Sequence, residues 1–125
     1  MYRVGIKRQF SAAHKLEGHQ GKCARLHGHT WQVEAGFSAP GLGQAEMVVD
    51  FEEAGRLLDA VIEPYDHQYL NELTRFASAR STAENVARFM FVDLLKQVEN
   101  AGTGVTVERV TVWESPDSWA SFGSA

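Results

Sequence analysis

The sequence predicts an α+β domain, a mainly antiparallel sheet carrying two helices on one face. Three observations predict it. Apolar and polar side chains alternate over residues 2–14 and 27–37; apolar residues recur at helical spacing over 51–63 and 83–99; and a Val- and Thr-rich alternating stretch returns at 105–114. The order is strand, strand, helix, helix, strand, strand. At 125 residues and 44% hydrophobic content, the chain fits one domain spanning 1–125, able to bury roughly two-thirds of its unfolded surface. No internal repeat, low-complexity tract or interdomain linker divides it.

In the first strand the even positions hold Tyr2, Val4, Ile6, Phe10, Ala12 and His14, while Arg3, Lys7, Gln9 and Ser11 take the other side. Residues 15–26, with Gly18, Gly21 and several charges, read as a loop long enough to fold over a site. The second strand puts His27, His29, Trp31, Val33, Ala35 and Phe37 on one face and Thr30, Gln32 and Glu34 on the other. Pro40-Gly41-Leu42-Gly43 ends it. Asp50 is the expected N-cap of a helix to about Glu63, with a buried stripe of Phe51, Ala54, Leu57, Leu58, Val61 and Ile62. Pro64 stops that helix and leads into the loop Tyr65–Asn71. A second helix runs from about Ala83 to Glu99; Ser81 and Glu84 are its expected capping box, and Asn100-Ala101-Gly102 its end. Its apolar side takes Val86, Phe89, Met90, Leu94 and Val98, and less cleanly Val92. The strand at 105–114 and a short extended tail around 119–122 complete the chain.

The formal charge of -4 and the pI near 5.7 provide no basic footprint, so no nucleic-acid partner is expected. Residues 1–8 hold no apolar signal core, and charges such as Asp59 and Asp93 break the longest apolar runs; the expectation is a cytoplasmic protein without a membrane partner. The single cysteine, Cys23, excludes an intrachain disulfide and suits a reducing compartment.

The chemistry concentrates in few residues. One histidine on an apolar strand face is ordinarily a satisfied core residue, but three are placed to share one ion. Residues i and i+2 of a strand point the same way, so His27 and His29 can grip a metal together, with Gly28 leaving room on the opposite face, and His14 comes from the neighbouring strand. Three imidazoles suit zinc with an open fourth position, the arrangement of catalytic sites, and no second cysteine exists for a thiolate-rich structural site. Iron, nickel and cobalt stay open. Cys23 is either a small buried hydrophobe or, beside Lys22 and Arg25 and four residues before His27, a thiolate able to act as a general base. Asp66-His67 is either a helix-terminus pair or a proton shuttle. Glu114, at a strand end beside Trp113, makes a surface salt bridge or accepts two parallel hydrogen bonds from the amino-pyrimidinone edge of a pterin or guanine.

Together these residues resemble the family of 6-pyruvoyl- and 6-carboxy-tetrahydropterin synthases. The matching segments cover nearly the whole chain: Phe10-Ser-Ala-Ala-His14, Cys23-Ala-Arg-Leu-His27-Gly-His29, Met47-Val-Val-Asp50-Phe51, Tyr65-Asp66-His67-Gln-Tyr69-Leu70-Asn71, Thr82-Ala-Glu84-Asn85 and Trp113-Glu114-Ser115-Pro116. The resemblance implies a tunnelling fold, in which the sheets of several subunits join into a barrel with helices outside. It further implies a homohexamer built as a dimer of trimers with active sites between subunits. It assigns one zinc per subunit to His14, His27 and His29, proton abstraction to Cys23, and a proton relay to Asp66 and His67. Pterin anchoring falls to Glu114, which also joins the relay, and Thr82 is a lesser substrate contact. The three residues between Cys23 and His27 look like the bacterial 6-carboxy-tetrahydropterin enzyme of queuosine (7-deazapurine) biosynthesis.

That resemblance implies a substrate, 7,8-dihydroneopterin triphosphate, whose side-chain oxygens zinc would polarise, with Lys15, Lys22 and Arg25 as triphosphate candidates by proximity. Ser81 departs from relatives that place proline before Thr-Ala-Glu-Asn. Two other readings are a pyruvoyl-forming or folate-pathway enzyme of the same family and a non-catalytic zinc- or pterin-binding protein.

Overall fold

The computed structural model describes residues 1–43 and 45–124. Strands β1 (Tyr2–His14) and β2 (His27–Ala39) form a long antiparallel pair in continuous register from Tyr2 opposite Ala39 to His14 opposite His27. Helix α1 (Phe51–Ile62) follows, then a two-residue strand β3 (Gln68–Tyr69), helix α2 (Ala83–Ala101), and the antiparallel pair β4 (Thr106–Ser115) and β5 (Ser118–Gly123). The sheet order is β3-β1-β2-β4-β5, antiparallel except where β3 runs parallel to β1. The predicted α+β order therefore holds with one addition. Two residues are too few for any periodic signal, and β3 went unseen in the sequence for that reason.

The even-numbered face of β1 and the odd-numbered face of β2 meet the helices. Phe10, Trp31, Val33, Ala35, Leu58 and Met90 are buried at its centre. Asp50 caps α1 as expected, accepting from the amides of Glu52 at 2.7 Å and Glu53 at 3.4 Å. Phe51 departs from the expected stripe and is 61% exposed, because as the first helical residue it precedes the turns that reach the sheet.

The capping box also needs correction. Thr82, not Ser81, caps α2, its hydroxyl accepting from the Asn85 amide at 3.2 Å. The Ser81 side chain is buried and donates to Asn71 Oδ1 instead, at 2.8 Å. At the other end Gly102 takes the left-handed conformation, φ 67°, and its amide closes on the carbonyls of Val98 and Glu99.

The connection from α1 to α2 carries part of the predicted site and is firmly tied down. Tyr65 is buried against Phe10 and Phe76, and Arg75 donates to its hydroxyl at 2.5 Å while pairing with Asp93 of α2. Burial pushes the Tyr65 phenol above its ordinary range, and the Asp93 carboxylate holds the Arg75 guanidinium firmly protonated. No helix among the described residues is long and apolar enough to cross a membrane.

Candidate active site

The last rungs of the β1–β2 ladder place three imidazoles side by side. His14 pairs with His27 and Ala12 with His29, so the three side chains emerge on one face at the loop end of the hairpin, where residues 15–26 join the two strands. One nitrogen from each lies within 4.8 Å of the others. His14 is completely buried; His27 and His29 are half-buried. Trp31, two residues further along the same face, stands edge-on to His14 and His29 at ring-centroid distances of 5.0 and 5.5 Å. Its indole N–H donates to the Ala12 carbonyl at 3.2 Å, and its ring stacks on Phe10.

Hydrogen bonds aim the rings. His14 Nδ1 donates to the Ser81 carbonyl at 2.7 Å and His27 Nδ1 to the Arg25 carbonyl at 2.6 Å. A carbonyl can only accept, so both rings carry a proton on Nδ1 and leave Nε2 as the nitrogen available to a metal. Nε2 of His14 and Nε2 of His29 are buried without any hydrogen-bond partner. Orphaned buried polar atoms are costly unless something else satisfies them. Burial also lowers the pKa of both His14 and His29 below the ordinary 6.5, which keeps the rings neutral near pH 7. Three imidazoles with convergent nitrogens, two of them unpartnered, and with the His14 and His27 rings aimed by backbone carbonyls fit a zinc ion.

Beside this cluster a cleft is lined by Leu16, His19, Thr82, Glu114, Trp119 and Ala120, among others. The β4–β5 pairing slips between Trp113 and Ser115, which places Glu114 at an irregularity at the strand's end. Its carboxylate is half-buried, with Oε1 3.7 Å from His14 Nε2. That is too long for a hydrogen bond and leaves the carboxylate free to receive donors from the cleft. The structure thus brings His14, His27, His29, Glu114 and Thr82 to one end of the sheet.

Cys23 and the Asp66-His67 pair lie outside the three-histidine ligand set. Cys23 is half-buried in a short 3-10 turn, Lys22–Ala24, and its carbonyl accepts from the Leu16 amide at 2.8 Å. Asp66 and His67 are clipped to the outer edge of β1. The Asp66 carboxylate accepts from the Ser11 amide at 3.0 Å and sits 2.9 Å from His67 Nδ1, and the His67 amide donates to the Ser11 carbonyl at 2.6 Å. The Ser11 hydrogen bond, first, and His67 hold the Asp66 pKa below its ordinary value. His67 adopts a left-handed backbone, φ 59°, with its side chain 80% exposed. Such a conformation is uncommon outside glycine and persists where the surroundings enforce it. Ser11 is three residues, roughly 10 Å of strand, from His14. Within one chain, His67 lines a groove shared with Ser11, Gly28, His29 and Thr30. Ser81 as the His14 acceptor and Trp31 as the wall of the cluster were not among the expected site residues; Trp31 carried a signal in its place on the histidine face, whereas Ser81, 67 residues from His14, carried none.

The family model described as 6-pyruvoyl tetrahydropterin synthase matches residues 3–125. A 6-carboxy-5,6,7,8-tetrahydropterin synthase of Synechocystis is 36% identical, over 92% of this chain and 88% of its own. One from Haemophilus influenzae is 32% identical over 98% and 99% of the two chains. Among solved structures, the 6-pyruvoyl tetrahydropterin synthase of Caenorhabditis elegans superposes with a TM-score of 0.83 at 26% identity, covering 100% of this chain and 98% of that one.

Proposed function

The chain belongs to the 6-pyruvoyl tetrahydropterin synthase family, and from that membership we propose that it is a zinc-dependent 6-carboxy-5,6,7,8-tetrahydropterin synthase. Its substrates are 7,8-dihydroneopterin triphosphate and one water, and its products are 6-carboxy-5,6,7,8-tetrahydropterin, acetaldehyde and triphosphate, a step towards queuosine. The observation that carries this reading is the convergence of three imidazoles beside a cleft bearing Glu114. The names of the relatives and the three-residue gap between Cys23 and His27 favour the carboxy product over the pyruvoyl one.

His14, His27 and His29 hold the ion, and Glu114 at the cleft anchors the amino-pyrimidinone edge of the pterin, with Thr82 beside it. Bound zinc supplies a Lewis acid for the side-chain oxygens of the substrate, acidifying the neighbouring C–H bonds. Cys23 takes a proton from that side chain. Asp66 fixes His67 by its Nδ1, so the outer ring nitrogen is the one that passes protons. Lys15, Lys22 and Arg25 lie in sequence around the site and are the cations for the triphosphate.

The His67 side chain is 80% exposed and lies outside the three-histidine ligand set, which supports a site completed by a neighbouring subunit in a homohexamer of two trimers. The open edge at β5, the two-residue β3 at the other edge, and exposed Leu26, Met47, Phe51 and Trp119 are surfaces such an assembly would cover. The test is incubation of zinc-loaded protein with 7,8-dihydroneopterin triphosphate. Acetaldehyde and 6-carboxy-tetrahydropterin in equal amounts support the reading. A pyruvoyl product without acetaldehyde would move the chain to the sister activity, and no turnover with intact pterin binding would leave a binding protein.

A further inference from the structure

Asn71 lies in a 3-10 turn, Leu70–Glu72, just past β3, and its side chain joins three segments distant in sequence. Its Oδ1 accepts from the Lys15 amide at 3.0 Å and from the Ser81 hydroxyl at 2.8 Å; its Nδ2 donates to the Lys15 carbonyl at 2.7 Å. The amide orientation is forced, since a backbone N–H only donates and a carbonyl only accepts. The backbone ladder between β1 and β3 pairs Ala12 with Gln68 and Ala13 with Tyr69. Two residues on, in the same register, Lys15 meets Asn71, with the side chain in place of the backbone. The amide thus continues the sheet past its last rung.

That extra rung lies immediately after His14. The other end of the network is Ser81, whose carbonyl accepts from His14 Nδ1 at 2.7 Å and whose side chain is buried. The completely buried His14 ring is therefore held from two directions, by the backbone that follows it and by the acceptor that sets its tautomer. Asn71 fixes both. Only the Ser81 hydroxyl, which a proline at that position would lack, links Asn71 to the segment bearing the acceptor.

We propose that Asn71 is a positioning residue for His14, setting the affinity and geometry of the three-histidine metal site through Lys15 and Ser81. The proposal rests on the reading that His14, His27 and His29 hold zinc. Removing Asn71 strands the Lys15 amide and carbonyl and the buried Ser81 hydroxyl together, and lets the Nδ1 acceptor of His14 drift. Groups of this outer kind typically govern metal affinity by about 10- to 100-fold.

The experiment compares wild-type protein, Asn71→Ala, Asn71→Asp and Ser81→Ala by zinc-chelator competition and by the visible spectrum of the cobalt-substituted site, with circular dichroism checking that each metal-free protein is folded. Asn71→Ala is expected to weaken zinc about 10- to 100-fold and to shift the cobalt bands. Asn71→Asp keeps both acceptor bonds and should recover part of the loss. Ser81→Ala, which removes one hydrogen bond, should weaken zinc by about two- to tenfold and serves if Asn71→Ala does not fold. Folded variants with wild-type zinc affinity and an unchanged cobalt spectrum would overturn the proposal. Failure of wild-type protein to bind zinc would instead overturn the metal reading on which it rests.

Discussion

Replacing Trp31 with phenylalanine tests whether the histidine cluster and the hydrophobic core share a wall. Trp31 is fully buried, stacks on Phe10 with centroids 5.7 Å apart, donates to Ala12, and stands edge-on to His14 and His29. Phenylalanine preserves a ring against Phe10 but deletes the N–H donor and one fused ring. Loss of the hydrogen bond costs about 1 kcal/mol, and the lost ring with its residual cavity about 1–2 kcal/mol more. The expected loss is therefore about 2–3 kcal/mol. With a urea m-value of about 2 kcal/mol/M, the unfolding midpoint of metal-free Trp31→Phe protein should fall by about 1–1.5 M at unchanged m. Zinc affinity should fall with it, because the rings of His14 and His29 gain space to rotate. A midpoint shift below about 0.2 M would refute the reasoning, since a buried indole in these contacts cannot be dispensable.

Other perturbations separate the remaining parts. His27→Ala deletes a ligand itself, so zinc affinity measured by chelator competition should fall by more than about 100-fold, beyond the range of outer-group changes, while the circular dichroism spectrum is retained. Thr82→Ala should cost about 1 kcal/mol in chemical denaturation through loss of the α2 cap; a neutral result would return the cap to Ser81. The metal-free protein should also be acid-sensitive. His14 and His29 have folded pKa values below their unfolded value of 6.5, so the unfolded chain binds more protons in between. Their stability contribution is complete above pH 6.5 and is lost as pH falls through the folded values. Denaturation midpoints that stay flat from pH 7.5 to about pH 5 would contradict the buried, neutral state of these rings.

The β1–β2 hairpin and both helices were legible because period-2 and period-3.6 patterns report burial directly. The same pattern put His14, His27 and His29 on one face, which the register confirms. Features set by tertiary contact were not legible. Ser81 has the chemistry of a cap, yet its hydroxyl finds Asn71 while Thr82 takes the helix end. Phe51 fits the apolar stripe by number but stands too early in the helix to reach the sheet. Glu114 sits at a strand end as expected, yet the slip in the β4–β5 ladder, invisible to alternation, determines where its carboxylate lies. The place of Asp66-His67 along the edge of β1 comes from the parallel contact of β3 with that strand. Two residues of strand decide it.

In the proposed function the histidine trio holds a metal the reaction requires. The most direct test is titration of zinc into metal-free protein while turnover of 7,8-dihydroneopterin triphosphate is followed. The account predicts that activity rises linearly to one zinc per chain and then stops, with no rise in the His14→Ala protein. Full turnover by rigorously metal-free protein would contradict it.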